Sequence, residues 1–475
     1  MVALRHTGLA LTLWLALALQ TASAASPPHA PARPRFSESQ LRSSRASQLV
    51  AKSSEPVPQS SDVGETIIQI VNNVAGAGIL TLSAGMSGGV GSVPATLLCL
   101  TMGLISGYTF YILGEACELT GETTFKGLWS RTLGASSSWV VDASIALMCL
   151  SAATIYSGIL GDVITQLLSL TSLPAALNVR GANIIAITAS ALVPLSLLKD
   201  LSALGFTSAL GCLAVLYTAV FITLRALDGS YALPVGAAAG GRMLATVAAG
   251  LEPSFKLASR WRVDSSALVL SSNLGLAYIA HYNAPAFYRT LHRRSPKRFA
   301  KVVSGAFLTL SLLYTSIMLL GYRTFGDNAA SNLLRNYAQD DTLALLGRLA
   351  TFVSILFGYP LAMVGLRDSA SSVLETFAEA ENAPTFARRV ARGAVDSPRA
   401  LTLSFLAFIS AVAILLTDIG LVVGISGALL GAAIVYIFPA LIYGIATDSS
   451  VFSPVYALVP LGAFLGLLGV WQTLK

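Results

Sequence analysis

Asn72-Asn73-Val74-Ala75-Gly76-Ala77-Gly78-Ile79-Leu80 is the stretch of this sequence best suited to chemistry, and that chemistry is binding. Two adjacent amides and two closely spaced glycines interrupt an apolar run from about Thr66 to Met86. A helix in lipid must satisfy its own backbone, and free backbone at mid-depth persists only where it lines a buried cavity. Glycine favours unwinding, and broken helices of this kind build substrate and ion sites in transporters. The same glycines also suit a face for close helix packing. The pattern alone divides evenly between these two uses.

The elements that must carry this segment are membrane spans. The chain is 54% hydrophobic and 11% charged, with a mean hydropathy of +0.71, far from soluble averages. Its net charge of +7 does not point to nucleic acid, because the basic residues cluster between apolar runs. Cys99, Cys117, Cys149 and Cys212 lie in or beside such runs without CxxC spacing, which suits packing and neither a disulfide frame nor a metal site. Residues 1–25 read as a signal-like leader: Arg5 and His6 precede the apolar run Gly8 to Leu19, and Ala22-Ser23-Ala24 suits a signal peptidase. Residues 26–62 are Ser/Arg-rich, acid-poor and too polar to fold alone. The pair resembles the two-part leader of proteins sent to a plastid through the secretory route; a signal peptide with a disordered tail is the plainer alternative. The transmembrane domain then occupies 63–475.

Apolar runs near the ~20 residues that a bilayer requires predict eleven spans. They fall at roughly 64–86, 92–116, 139–169, 182–198, 203–225, 266–288, 299–322, 342–365, 400–417, 420–444 and 453–473. Arg289, Arg293, Arg294, Lys297, Arg298 and Lys301 follow the sixth span without an acid among them. Arg388, Arg389, Arg392 and Arg399, and Lys199, lie on the same side, which the positive-inside rule assigns to the cytosol or its equivalent, together with the start of the first span. A cleaved secretory signal would put that start on the opposite side, so the leader requires either a second import step or a different reading of its apolar run.

Five ordered motifs over residues 63–446 resemble the amino acid/auxin permease family, especially its sodium-coupled neutral amino acid transporter branch. They are Asn72 with Gly76, Gly78, Ile79 and Leu80; Val193-Pro194-Leu195-Ser196-Leu197-Leu198-Lys199-Asp200-Leu201 followed by Gly205-Phe206-Thr207-Ser208; and His281 with Phe287-Tyr288. Gly321-Tyr322-Arg323-Thr324-Phe325-Gly326-Asp327-Asn328 is the fourth, and Arg348-Leu349-Ala350, Pro360-Leu361 and Arg367 make the fifth. The resemblance implies an all-α polytopic membrane protein with a LeuT-like fold: a 5+5 inverted repeat plus one extra helix, with helices one and six interrupted. Ser271-Ser272-Asn273-Leu274-Gly275 offers an interruption at the corresponding place in the second half. The chain departs from some relatives in having no cysteine in the 226–265 loop, and it has no Asn-x-Ser/Thr sequon.

The expected substrate is an amino acid, small or neutral, moved by alternating access. A half-helix N-terminus favours its carboxylate, while unwound carbonyls accept from its ammonium. Gly76, Ala77 and Gly78 are the candidates for those backbone contacts, with Asn273 and Gly275 as further contacts; an interhelical hydrogen bond is the competing role for Asn273. Sodium takes about five or six oxygens without needing a carboxylate, and Asn72, Thr351 and Ser354 form a candidate set; the last two share a helix face. Hydroxyls bonded back to their own helix are the alternative. Proton coupling would instead use Asp162 or His281, titratable groups within apolar runs, unless they sit near wet helix ends or, for His281, in plain packing. Asp418 falls in a turn and reads as solvated. No His/Asp, Cys/His or metal constellation suggests an enzyme, and no cofactor beyond the coupling ion is expected. The alternative function is an amino acid sensor that binds substrate and signals through its tails or loops without flux. The membrane is a plastid membrane on the leader reading, and otherwise an endomembrane or the plasma membrane.

Overall fold

The computed structural model describes residues 61–171, 178–198, 205–234, 240–379, 384–450 and 452–475. The leader, almost all of the Ser/Arg-rich segment, and Lys199 with Asp200 lie outside the described residues. Among those described, regular structure is helical apart from two isolated bridge pairs. The first span is divided into α1 (Val63–Val74), a 3-10 turn (Ala77–Thr81) and α2 (Leu82–Ser87), bent by 56° across the break. Next come α3 (Ser92–Thr120), a short α4 (Phe125–Thr132) and α5 (Trp139–Leu168). α6 (Arg180–Ile187) runs through a π turn (Thr188–Leu192) into α7 (Val193–Ser196), and α8 (Gly205–Leu227) follows.

The second half repeats the device of a broken helix. α9 (Ser266–Ala277) stops, and a 3-10 turn (His281–Asn283) leads into α10 (Ala284–Thr290). Then follow α11 (Pro296–Phe325), α12 (Thr342–Glu379), α13 (Thr385–Asp396) and α14 (Pro398–Leu415). α15 (Ile419–Ser426) continues through a π stretch (Gly427–Ile437) into α16 (Phe438–Ala446), and α17 (Leu458–Thr473) closes the chain. Local chemistry explains several ends. Thr124, Ser295 and Asp418 accept from backbone N–H groups as N-caps of α4, α11 and α15, and Pro296 occupies the first turn of α11, where its missing N–H costs nothing. Asp418 is therefore a cap, also bonded to Ser331 Oγ at 2.6 Å, and more than a solvated turn residue. Gly121 ends α3 at φ 76°, a conformation that suits a glycine C-cap.

Among the described residues, eight helices are long and apolar enough to cross a bilayer, and the bent first pair, taken as one span, makes a ninth. The remaining expected spans, near 182–198 and 266–288, are present as short pieces joined by a π turn or a break, so length and composition do not establish eleven crossings. α4 is an element the hydropathy pattern missed, being too short and too polar to register. The second interruption also falls elsewhere than expected. Ser271 to Gly275 lie inside α9, and the chain unwinds at Tyr278 to Ala280. The reason is local: Ser271 and Ser272 return their hydroxyls to the Ala267 and Leu268 carbonyls, at 2.7 and 2.9 Å, so their polarity is absorbed without breaking the helix.

Two features orient the bundle. Ser61 N donates to Thr290 O (2.9 Å) and His292 N to Ser61 O (2.9 Å), which puts the start of α1 beside the basic loop after α10. On the opposite side, the described residues of the 228–265 connection form a cap with residues 326–341. Arg225 donates to both oxygens of the buried Asp341 (2.8 and 2.6 Å), Tyr231 donates to the same carboxylate (2.7 Å), and Asp327 N donates to Ser254 O (2.6 Å). Burial pushes Asp341 up, but the Arg225 guanidinium, the Tyr231 hydroxyl and the Ala344 N–H outweigh it and hold the carboxyl below its ordinary value. α8 exposes Leu213, Leu216, Val220, Leu224 and Leu227 at helical spacing, a stripe suited to lipid.

Candidate substrate and ion site

The two breaks meet at one depth. At the first, Ala75 takes φ −74°, ψ 69° and Gly76 takes φ −94°, ψ −164°. Neither is left-handed, so glycine is needed at 76 for room: an added Cβ would lie 3.3 Å from the Tyr156 hydroxyl of α5. The 3-10 turn that starts at Ala77 leaves its first N–H groups without an intrahelical acceptor; that of Ile79 reaches back to Gly76 O at 3.3 Å. The N–H groups of Ala77 and Gly78 thus form the positive end of the turn. Across from Gly78 lies Ala277, the last residue of α9, at 3.7 Å from the place a Gly78 Cβ would take.

A cavity of about 820 Å³ opens from the breaks toward the side of the basic loop, past Gln69 and Asn73 on α1 and Asn283 and Phe287 of the second broken helix. Toward the cap it is shut by α2 and the turn before it, which are held by Asn273 Nδ2 to Thr81 O (3.2 Å) and by Ser83 Oγ to Ile317 O (3.1 Å). No charged side chain is among its described lining residues. Such a chamber suits a ligand without net charge, whose own opposite charges meet helix ends and carbonyls.

Of the expected site residues, the structure gathers Asn72, Gly76, Gly78, Thr351 and Ser354 around this cavity. Thr351 and Ser354 form no hydrogen bond back to α12 among the described residues, whereas Thr218, Thr223, Ser271 and Ser272 all do so in their own helices. Their oxygens are left for another partner. Gly211 of α8 marks the place: a Cβ there would sit 3.2 Å from Asn72 Oδ1 and 3.4 Å from Ser354 Oγ. Three helices therefore converge on one small polar gap, with glycine keeping it open.

The other candidates lie apart. Asn273 is buried in the contact with Thr81, and a Gly275 Cβ would be 2.9 Å from Gly427 O, so this glycine lets α9 approach the π stretch closely. Asp162 accepts from Arg180 Nε at 2.7 Å and from Asn332 at 3.2 Å. His281 is wholly buried, with Nε2 at 2.9 Å from Thr109 Oγ1 and 3.0 Å from Ser106 O, and its ring meets Phe110 edge-on at 5.5 Å. Neither titratable group lines the cavity. Sequence reasoning missed Tyr156, Gly211 and Tyr314. Nothing in an apolar run distinguishes a tyrosine or glycine that faces a break from one that faces a neighbour.

A multi-pass helical protein with two broken helices facing each other across an uncharged chamber has the architecture that secondary transporters use. Its sequence matches the family described as transmembrane amino acid transporter protein over residues 59–474, and the chain belongs to that family. It is 26% identical over 387 residues to vacuolar amino acid transporter 5 of Schizosaccharomyces pombe, covering 80% of this chain and 83% of that one. It is 25% identical over 318 residues to vacuolar amino acid transporter 6 of Saccharomyces cerevisiae, covering 66% of each. Among solved structures it is similar to a Na+-coupled sialic acid symporter in a substrate-bound outward-open state, with a TM-score of 0.50 at 13% identity over 98% of this chain and 94% of that one. That likeness is one of fold.

Proposed function

We propose that this protein is a secondary active transporter of small or neutral amino acids, with eleven crossings arranged as two inverted five-helix repeats and one further helix. The observation that carries the reading is the uncharged chamber between the two breaks, open to the side of the basic loop and closed toward the cap. In this reading the substrate carboxylate takes the N–H groups of Ala77 and Gly78, and its ammonium takes carbonyls of the unwound segments. The two interactions are complementary in sign, so a zwitterion enters without an uncompensated charge. Sodium occupies the gap between Asn72, Thr351 and Ser354. The names of the two yeast relatives favour an endomembrane, and the leader-like start of the chain keeps a plastid membrane as the alternative.

The test is uptake of an amino acid panel into vesicles containing the purified protein, with and without inward sodium and proton gradients. Accumulation of a neutral amino acid driven by sodium is expected. Uptake that ignores sodium and follows the proton gradient overturns the ion assignment and moves it to Asp162 or His281. Binding without uptake under every gradient overturns transport in favour of a sensor.

A further inference from the structure

Two helix C-termini converge at the breaks, those of α1 at Val74 and α9 at Ala277. Each carries the negative end of a helix dipole, so their approach needs a positive partner between them. Tyr314 of α11, only 1% exposed, supplies it. Its hydroxyl lies 2.7 Å from Ala277 O and 3.1 Å from Val74 O, and it donates its one proton as a shared bond to both. Tyr278 fixes the ring: the two centroids are 4.9 Å apart, and the Tyr278 hydroxyl is itself held by Cys99 O (3.2 Å) and Ser311 Oγ (3.0 Å).

We propose that Tyr314 is a positioning residue, a neutral stand-in for a cation that pins the two breaks to each other and so sets the spacing of the backbone groups that face the substrate. It does not line the cavity, and it acts through the backbone on either side of Gly76 and Tyr278. The proposal deepens the transport reading and rests on it only for the effect on substrate.

The test compares wild type, Tyr314→Phe and p-aminophenylalanine at 314, the last of which restores a donor at nearly the same reach. Hydrogen–deuterium exchange of peptides spanning 74–82 and 277–284 in lipid nanodiscs reads the pin directly and needs no flux. Tyr314→Phe is expected to speed exchange at both breaks by about tenfold, the loss of one ordinary hydrogen bond, and to raise the half-saturating amino acid concentration by a similar factor. The amino variant is expected to return both toward wild type. Wild-type exchange in Tyr314→Phe overturns the proposal. So does loosening that spreads over the whole bundle and resists rescue, because that is packing alone. A wild-type protein without uptake would refute the transport reading and leave the exchange result standing as the test of Tyr314.

Discussion

Gly211→Ala separates the ion gap from the fold, because its two effects have opposite signs. In a helix, exchanging glycine for alanine favours folding by about 0.5–1 kcal/mol. Here the new methyl would stand 3.2 Å from Asn72 Oδ1 and 3.4 Å from Ser354 Oγ. Both are ends of flexible side chains, so they give way by a few tenths of an ångström while the backbone of α8 stays in place. The displaced oxygens are those assigned to sodium. A hydrogen-bond-scale contact to a charged group contributes about 1.5–3 kcal/mol, so losing one such contact raises the half-saturating sodium concentration by roughly 10- to 150-fold. The assay is initial uptake over a sodium series at saturating amino acid, paired with thermal unfolding of the same purified variant. The expected result is a large rightward shift of the sodium curve in a protein that unfolds no earlier than wild type. An unshifted sodium curve refutes the assignment of this gap to the ion, and a lowered unfolding temperature refutes the claim that the backbone accommodates the methyl.

Other perturbations test neighbouring parts of the argument. Gly76→Leu should abolish uptake without preventing insertion, because its side chain must pass the Tyr156 hydroxyl at 3.3 Å and fill the chamber; near-normal uptake would reduce Gly76 to a packing residue. Thr351→Val should raise the sodium requirement and barely change substrate preference, since it removes one oxygen at nearly constant size; equal loss for every ion condition would count against it. Asp341 has a folded pKa below its unfolded value, so its contribution to stability is full above the unfolded pKa of ~3.9 and is lost as pH falls through the folded one. Thermal stability should therefore hold from neutral pH down to about pH 5 and drop below about pH 4, and Asp341→Asn, which leaves Arg225 with Asp228 as its remaining ion partner, should cost about 1.5–3 kcal/mol at neutral pH; an unchanged melting curve would refute that role. A fluorescent protein behind residues 1–60 should reach a plastid of secondary origin in a cell that has one, and secretion would refute the two-step leader.

The first break was legible as one of two readings, because its signal is compositional: two amides and two glycines in an apolar run mark either an unwound segment or a close-packing face, and the chain unwinds there. The second was misplaced for a physical reason. Ser271, Ser272 and Asn273 look polar in sequence, yet their groups are absorbed by back-bonding or by Thr81, while the true break at Tyr278-Ile279-Ala280 is written in apolar and aromatic residues that mark no interruption of an apolar run. The contacts that meet the break are tertiary, with the Tyr278 ring against Tyr314 and the Ala277 carbonyl accepting from the Tyr314 hydroxyl. Thr351 and Ser354 were legible through their spacing, since three residues place them on one face. Gly211 was not, because only contacts across three helices reveal what it keeps open.

These parts suggest how ion and substrate are linked through α1. Its flank carries Asn72 toward Gly211 of α8 and Ser354 of α12, while its end at Val74 is tied by Tyr314 to the end of α9. Its start is paired at Ser61 with the strand-like segment after α10. Under the proposed sodium site, an ion that draws Asn72 toward α12 would pivot α1 about the Tyr314 contact, and Ala75 and Gly76, whose backbone lies outside the helical region, are placed to absorb the pivot next to the N–H groups proposed for the carboxylate. On that proposal, filling the ion gap would reshape the substrate contacts with no charged side chain among the described lining residues. Occupancy of one site changes the other by the same free energy in both directions. Added sodium should accordingly lower the half-saturating amino acid concentration, and added amino acid should lower that of sodium by an equal factor when both are measured as binding. A factor of one, with neither ligand changing the other's affinity, would refute linkage through α1.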